Sequence, residues 1–217
     1  MPEQTNLVDA AIAASVSRFL PADFAGDLTI PLHRALKINK DKVATEEYLQ
    51  KHESSISHTS IRTGPLLDYC LSQGILINMK DRSMTRFDSG DKRFSCTTMA
   101  TASAAVATVL KMGGKSENRA FKVQDIVTTQ NQLLKLGKEV VPGAEWTIKP
   151  ASTVDMEIKA NEAFKADPNS IMGSMMQKAV FVFGAEYISD FGASDNAELG
   201  IRMMDETQVK ELLKTFA

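Results

Sequence analysis

Residues 16–24 read VSRFLPADF, a short and mainly apolar run that Pro21 stops. Such a run is typical of a buried strand that ends at a loop. The preceding residues 2–15 place apolar side chains on one helical stripe, which predicts a helix. The following residues 31–51 predict one long helix or two helical pieces, with lysine and glutamate outside. The stretch is therefore the expected first strand of a helix, strand, helix unit, with a loop at residues 22–30.

A second strand is predicted at residues 57–62, because Thr59 and Ile61 alternate with more polar residues before Gly64 and Pro65 end the run. Strands that alternate with helices imply parallel crossovers, and these two strands then form half of a doubly wound sheet. Further strands are predicted at residues 82–88 and 93–97, around a turn at 88–91, and at 118–123 and 145–149, with helices at 66–73, 100–111, 128–136, 154–166, 171–186 and 206–216. The mainly helical region after residue 150 is expected to form a substrate-side cap.

The composition is typical of a folded protein, and its charge balance favours a small-molecule ligand. At 217 residues the chain can build a core without disulfides or a structural metal, and 43% hydrophobic with 24% charged residues is near the globular average. The 25 Lys and Arg nearly balance the 27 Asp and Glu, and there is no basic stretch, which argues against a nucleic-acid or membrane-surface partner. The amino terminus lacks a basic region followed by an apolar one, so a cytoplasmic location is expected.

The side chains that bind metals are few and show no pattern. Cys70 and Cys96 are expected to be inert buried thiols in a reducing compartment. The histidines lack ligand spacing, so we expect no metal site and place them at the surface or in loops; they are His33, His52 and His58.

Four stretches, covering roughly the first half of the chain, follow the order and spacing of one protein family. They are LVDAA with RFLPADF (residues 7–11 and 18–24), KVATEEYL (42–49), TSIRTGPLLDY (59–69), and the DSGD turn with the strand end and helix after it (88–111). With them the chain resembles the NmrA-like and isoflavone reductase-like proteins of fungal type, which are atypical relatives of the short-chain dehydrogenases. The resemblance implies an α/β fold: an NAD(P)-binding, Rossmann-like doubly wound sheet with a C-terminal α+β, mainly helical substrate-side region.

The resemblance also implies NADPH as cofactor and assigns residues to the site. Lys42 would handle a proton near the nicotinamide, since hydride addition needs a donor for the developing negative charge. The cofactor would be lined by Pro21, Ala22, Asp23 and Phe24 and bordered by Arg62, Thr63, Gly64 and Pro65, with Leu66 and Tyr69 as the wall of the substrate pocket.

Structural interpretations of the same residues stay open. Lys42 is also one of a set with Lys37 and Lys40 that fits a solvated helix face. Residues 21–24 could be an ordinary turn after a strand, with Phe24 plugging the core. Tyr69 could be a half-buried helix residue.

The family's phosphate-binding fingerprint, G-x-x-G-x-x-G, does not occur in these residues. Glycine is needed there because only a bare backbone can approach a pyrophosphate at a helix amino terminus. By resemblance, the first three strands of the sheet would be missing, and Met1 need not be the natural start. We expect the remaining half of the dinucleotide-binding domain in residues 1–64 and the substrate-side region, interleaved with the end of the sheet, in 65–217.

Two expectations follow from the missing strands. The chain alone should not bind NADPH tightly, and its sheet should have an open edge through which copies could pair into a homo-oligomer. The leading hypothesis is NADPH-dependent reduction of a small aromatic or secondary-metabolite substrate. The alternatives are a non-catalytic NmrA-like regulator that senses a dinucleotide or binds a protein, and a fragment without activity. Lys42 favours the enzyme, because such regulators typically lack an active-site catalytic residue.

Overall fold

The computed structural model describes residues 3–217. Its helices are α1 Glu3–Ala13, α2 Pro31–Arg34, α3 Lys40–Lys51, α4 Leu67–Ser72, α5 Met99–Lys111, α6 Gln130–Val140, α7 Thr153–Ala166, α8 Ile171–Phe183 and α9 Glu206–Lys214, with short 3-10 turns at Lys37–Asn39 and Gly113–Ser116. Its strands are β1 Arg18–Phe19, β2 Ser57–Arg62, β3 Ser83–Phe87, β4 Phe94–Cys96, β5 Arg119–Lys122, β6 Ile126–Thr128 and β7 Thr147–Ala151.

Strands β1, β2 and β5 form a parallel sheet in that order. Helices α1 and α3 contact each other, and an apolar cluster of Val8, Leu49 and Ile56 is fully or nearly fully buried on their side. Helix α5 packs on β2, with Ile61 and Phe121 in a separate buried cluster. The parallel helix and strand alternation predicted from the sequence is thereby confirmed.

A second region carries the largest apolar core and two small sheets. Strand β3 pairs with β7 in parallel, and β4 pairs with β6 antiparallel. The ring of Phe183 on α8 stacks on Phe87 at a centroid distance of 4.8 Å and meets Phe94 edge-on at 5.4 Å. This cluster joins both small sheets to the mainly helical region, whose helical character agrees with the sequence prediction.

One local expectation is confirmed and one is corrected. Strands β3 and β4 flank the turn at residues 88–91 as predicted, and each pairs with a different strand. The Asn131 side chain on α6 holds that turn by donating to Ser89 O at 2.9 Å and to Asp91 Oδ1 at 2.7 Å. Strand β1 is only half-buried, and Val16 before it is 42% exposed. Among the described residues β1 pairs only with β2, so its outer side has no neighbouring strand to bury it.

Helix and thiol expectations are mostly confirmed. Residues 31–51 form separate helical pieces. Helix α8 ends three residues earlier than residue 186, because the backbone turns extended at Gly184, with φ −65° and ψ 139°. Cys70 and Cys96 are free and buried, and burial raises the pKa of the Cys70 thiol to about 11.

Candidate functional site

The loops that follow β1 and β2 meet at the carboxyl ends of these neighbouring parallel strands. Thr63 N and Gly64 N both donate to Ala25 O, at 2.9 and 3.0 Å. Gly64 has a φ of +61°, and a Cβ there would lie 2.4 Å from Ser95 O, so the close approach requires glycine. The structure therefore brings the two sequence-predicted cofactor segments, residues 21–24 and 62–65, to one place.

A buried ion pair ties the two loops together. Arg62 donates through Nη1 to Asp23 Oδ2, and each side chain is only 3% exposed. Arg62 Nη2 also lies 2.7 Å from Glu46 Oε2, whose other oxygen is 2.9 Å from Arg34 Nη1. Burial lowers the pKa of Arg62 to about 10, so its guanidinium stays charged at neutral pH. Such a charge is stabilised only by its partners, so the pair fixes the loop geometry.

Lys42 occupies the first turn of α3, beside the loop after β1. Its Nζ donates to Ala22 O at 3.4 Å, and the side chain is half-buried. Desolvation lowers the pKa of Lys42 below its ordinary value, and the nearby ammonium of Lys178 on α8 lowers it further. Among residues 3–217 no carboxylate forms an ion pair with Lys42 within 4.0 Å. Lys42 is therefore a half-buried ammonium beside the loop after β1, with a backbone carbonyl as its hydrogen-bond acceptor.

An apolar groove of about 320 Å³ opens next to these loops. It is lined by Phe24 and Leu66 from the predicted site, together with Met99, Ala102, Ser103 and Val106 of α5. Phe24 is 41% exposed, so it does not plug the core. Tyr69 is 52% exposed on α4 and does not line the groove, which leaves its predicted role in the substrate wall without support from this cavity.

The contribution of α5 was missed by the sequence analysis. The sequence predicts that α5 turns four side chains inward: Ala102, Val106, Val109 and Leu110. Ala102 and Val109 are buried as predicted, whereas Leu110 is 54% exposed and Met99 at the start of the helix 53%. The available signal was the spacing of apolar or small residues at 99, 103, 106 and 110, which repeats every three to four positions on a second face of the helix.

His33 was expected at the surface, and this is wrong. Its ring is fully buried, with Nδ1 2.7 Å from Asp27 O and Nε2 accepting from Ile188 N at 3.2 Å. Desolvation lowers the pKa of His33, so the ring is neutral and the two bonds define its tautomer. His58 is buried as well. His33 thus fastens the loop after β1 to the chain that follows α8.

Helix α8 makes two further contacts with the same region. A Cβ on Gly26 would lie 2.3 Å from Phe181 Cζ, so only glycine lets the loop pass. Gln177 Oε1 accepts from Ile38 N at 2.8 Å. The helical region after residue 150 therefore packs on the loop after β1 and on the turn before α3.

Two other features are absent from the described residues. Among the described residues, no group of three or more His, Cys, Asp or Glu side chains comes together as a metal ligand set. No helix within residues 3–217 has the length and apolar character needed to cross a bilayer.

Known proteins share this fold. No family model matches the chain. The oxidoreductase aprR of Aspergillus flavus is 26% identical over 224 residues, covering 97% of this chain and 72% of that protein. Among solved structures, AtPrR2 with NADP+ and (+)-pinoresinol has a TM-score of 0.73 at 16% identity and an isoflavone reductase 0.69 at 15%. Each match covers 100% of this chain, and 70% and 71% of those chains.

These likenesses define the class of fold. The chain has the NAD(P)-binding, Rossmann-like fold of isoflavone reductase-type proteins, and it is related in sequence to a fungal oxidoreductase. The resemblance recognised from residues 7–111 is thereby confirmed.

Proposed function

We propose that this chain supplies the nicotinamide and substrate side of an NADPH-dependent reductase acting on a small aromatic or conjugated molecule. The observation that carries the proposal is Lys42, a half-buried ammonium with a lowered pKa beside the loops after β1 and β2. The relatives support it, because aprR is named an oxidoreductase and AtPrR2 was solved with NADP+ and (+)-pinoresinol.

The residues present fit the nicotinamide end of the cofactor. Asp23 Oδ1 and Arg62 Nε are buried and have no hydrogen-bond partner among the described residues. A buried polar atom without a hydrogen-bond partner costs folding free energy, so the free acceptor of Asp23 and the free donor of Arg62 favour binding of a polar ligand. A ribose hydroxyl and a carboxamide oxygen have the matching chemistry. The pyrophosphate contacts fall to residues outside these 217, since no glycine-rich fingerprint occurs in them.

Bound NADPH would supply the hydride, and the chain's own residues would stabilise and protonate the negative charge that hydride addition creates on the substrate. Lys42 Nζ, oriented by its hydrogen bond to Ala22 O, donates a proton to the substrate atom that becomes negative. Desolvation brings the pKa of Lys42 closer to neutrality, which makes the ammonium a stronger acid. Phe24 and Leu66 hold an apolar ring in the groove and exclude water, while the Arg62 and Asp23 pair keeps the loops in place.

NADPH fluorescence tests the cofactor part of the proposal. The chain of 217 residues is titrated beside a version extended upstream by a segment that carries the G-x-x-G-x-x-G fingerprint. We expect saturable binding by the extended version only. Low-micromolar binding by the shorter chain would show that the pyrophosphate is held in another way, and binding by neither would contradict the proposed cofactor site.

A regulator that senses a dinucleotide is distinguished by turnover. In the extended version, loss of turnover with retained NADPH binding in Lys42→Ala marks an enzyme. Binding without turnover of any substrate by the unaltered protein would favour the regulator. The two buried free thiols fit a reducing compartment, and we propose the cytoplasm.

A further inference from the structure

The loop that carries the hydrogen-bond acceptor of Lys42 is held from two sides. On one side, the backbone N–H of Ala22 donates to Gln4 Oε1 of α1 at 2.7 Å, and Gln4 is buried. On the other side, the carboxylate of the next residue, Asp23, is bound by Arg62, and each of these two side chains is 3% exposed. The Ala22 carbonyl is therefore fixed relative to α1 and to the end of β2.

The helix that carries Lys42 is fastened to the same ion pair. Glu46 lies one turn after Lys42 on α3, and its side chain is 17% exposed. Its Oε2 lies 2.7 Å from Arg62 Nη2, and its Oε1 lies 2.9 Å from Arg34 Nη1 of α2. Arg34 Nη1 also donates to Leu28 O at 3.3 Å. Both carboxylate oxygens of Glu46 are thus engaged, and they join α3 to the end of β2 and to α2.

These contacts close a ring around the proposed proton donor. The ring runs through Lys42, Ala22, Asp23, Arg62 and Glu46, and returns to Lys42 along one turn of α3. Residues four apart on a helix lie on the same face, so the ammonium and the carboxylate reach the two loops side by side. Hydrogen bonds between charged groups are short and strong. The place of Lys42 Nζ beside the loop therefore depends on contacts that Lys42 itself does not make.

We propose that Glu46 and Gln4 are positioning residues for Lys42, Glu46 by fixing the helix that carries the ammonium and Gln4 by fixing the loop that carries its acceptor. Neither side chain transfers a proton. The inference rests on the proposed function, which makes Lys42 the proton donor. The lysine stem is long and flexible, and a proton donor must be held within hydrogen-bond reach of the atom that it protonates.

The pKa of Lys42 tests the inference in the 217-residue chain without cofactor. Desolvation lowers this pKa, with a smaller contribution from Lys178 on α8, so an ammonium released into solvent should regain a higher one. Trace acetylation by acetic anhydride is followed from about pH 7 to about pH 10.5, and mass spectrometry of the peptides gives a titration midpoint for each lysine. Exposed Lys40 on the same helix is the internal reference.

The variants are Glu46→Gln, Gln4→Leu and, as a matched control, Glu47→Gln. Glu46→Gln turns an amide donor towards one of the two guanidinium groups, and Gln4→Leu removes the acceptor of Ala22 N without changing any charge. Glu47 is the next residue on α3, and its carboxylate, 54% exposed, lies 3.0 Å from Arg34 Nη2 outside the ring.

We expect the midpoint of Lys42 to rise in Glu46→Gln and in Gln4→Leu, by an amount that corresponds to an about threefold higher proton affinity. It should stay unchanged in Glu47→Gln. The direction separates positioning from charge, because the loss of a nearby carboxylate would by itself lower the pKa of an ammonium.

An unchanged midpoint in both variants would overturn the inference, even if urea denaturation shows that they are less stable, because a purely structural role changes stability alone. A lower midpoint in Glu46→Gln would also overturn it, since the carboxylate would then act through its charge. If Glu46→Gln does not fold, Gln4→Leu decides, because it leaves every ion pair of the ring in place.

The test is independent of the proposed reductase, because neither NADPH nor turnover enters the measurement. An unchanged midpoint would remove the roles of Glu46 and Gln4 and leave the reductase standing. A raised midpoint in a chain whose extended version has no activity would support the two positioning roles and contradict the reductase.

Discussion

The unit from α1 to β2 and the region from β3 onward differ in the size of their apolar cores and in the polar side chains they carry. The first builds a short parallel sheet with one open edge and holds polar side chains, Lys42, Asp23 and Arg62, at its carboxyl end. The second holds the largest apolar core and contributes α8 as a cover over the first. The candidate catalytic groups therefore lie on the half with the smaller core, whereas their geometry depends on contacts from the half with the larger core.

The largest expected effect comes from breaking the buried ion pair of the first unit. Arg62→Met leaves Asp23 as an unpaired buried carboxylate, so we expect a loss of about 3 to 5 kcal/mol in the free energy of unfolding. Urea denaturation measures it. The control is Arg119→Met, which breaks the pair with Glu198 whose side chains are 40% and 41% exposed, and should cost less than about 1 kcal/mol. Equal losses would show that the pair does not fix the two loops.

The contact between the halves is tested at Gly26. Gly26→Ala places a methyl group against the Phe181 ring, and we expect about 1 to 3 kcal/mol of destabilisation from overpacking. Phe181→Leu in the same chain should recover part of that loss. Gly114→Ala, which meets nothing within 4 Å, is the matched glycine control. If Gly26→Ala unfolds at the same urea concentration as Gly114→Ala, α8 does not cover the loop.

A smaller effect is expected from pH through His33. Burial lowers its pKa in the folded state below the ordinary value near 6.5, so the unfolded chain takes up a proton first as pH falls. The free energy of unfolding should therefore decrease as pH drops below about 6.5 and level off below the folded pKa. His33→Gln should reduce this slope in denaturation series between pH 8 and 5. The slope that remains in this variant is expected from His58, whose pKa is also lowered by burial. An unchanged slope would mean that His33 is not buried as a neutral ring.

The smallest effect concerns the open edge of β1. An unpaired parallel strand favours pairing with another chain, so we expect concentration-dependent self-association of the 217 residues. Val16→Lys adds a charge at this edge and should shift the mass measured by light scattering towards monomer. A mass independent of both concentration and the substitution would exclude association through β1.

The sequence was informative where structure depends on near neighbours. The alternation around Thr59 and Ile61 predicts residues 57–62, the span that β2 occupies, and the run stopped by Pro21 locates the site loop. Strand pairing was harder to predict. Strand β3 and its partner β7 lie 64 residues apart at Ser83 and Thr147, and no local sequence pattern encodes which strand pairs with β3. The burial of His33 and exposure of Phe24 were missed for the same reason: each depends on which distant element covers the loop. The division at residue 64 remains a prediction.

Proton donation by Lys42 is tested by steady-state NADPH oxidation. The measurement uses the version extended by the fingerprint segment, with a small conjugated aromatic compound as substrate. Lys42→Met should lower kcat about 100-fold or more, the contribution of a general acid, while the Kd for NADPH stays within about twofold. Lys40→Met, on the exposed side of the same helix turn, should leave kcat unchanged. Full activity in Lys42→Met would contradict the account.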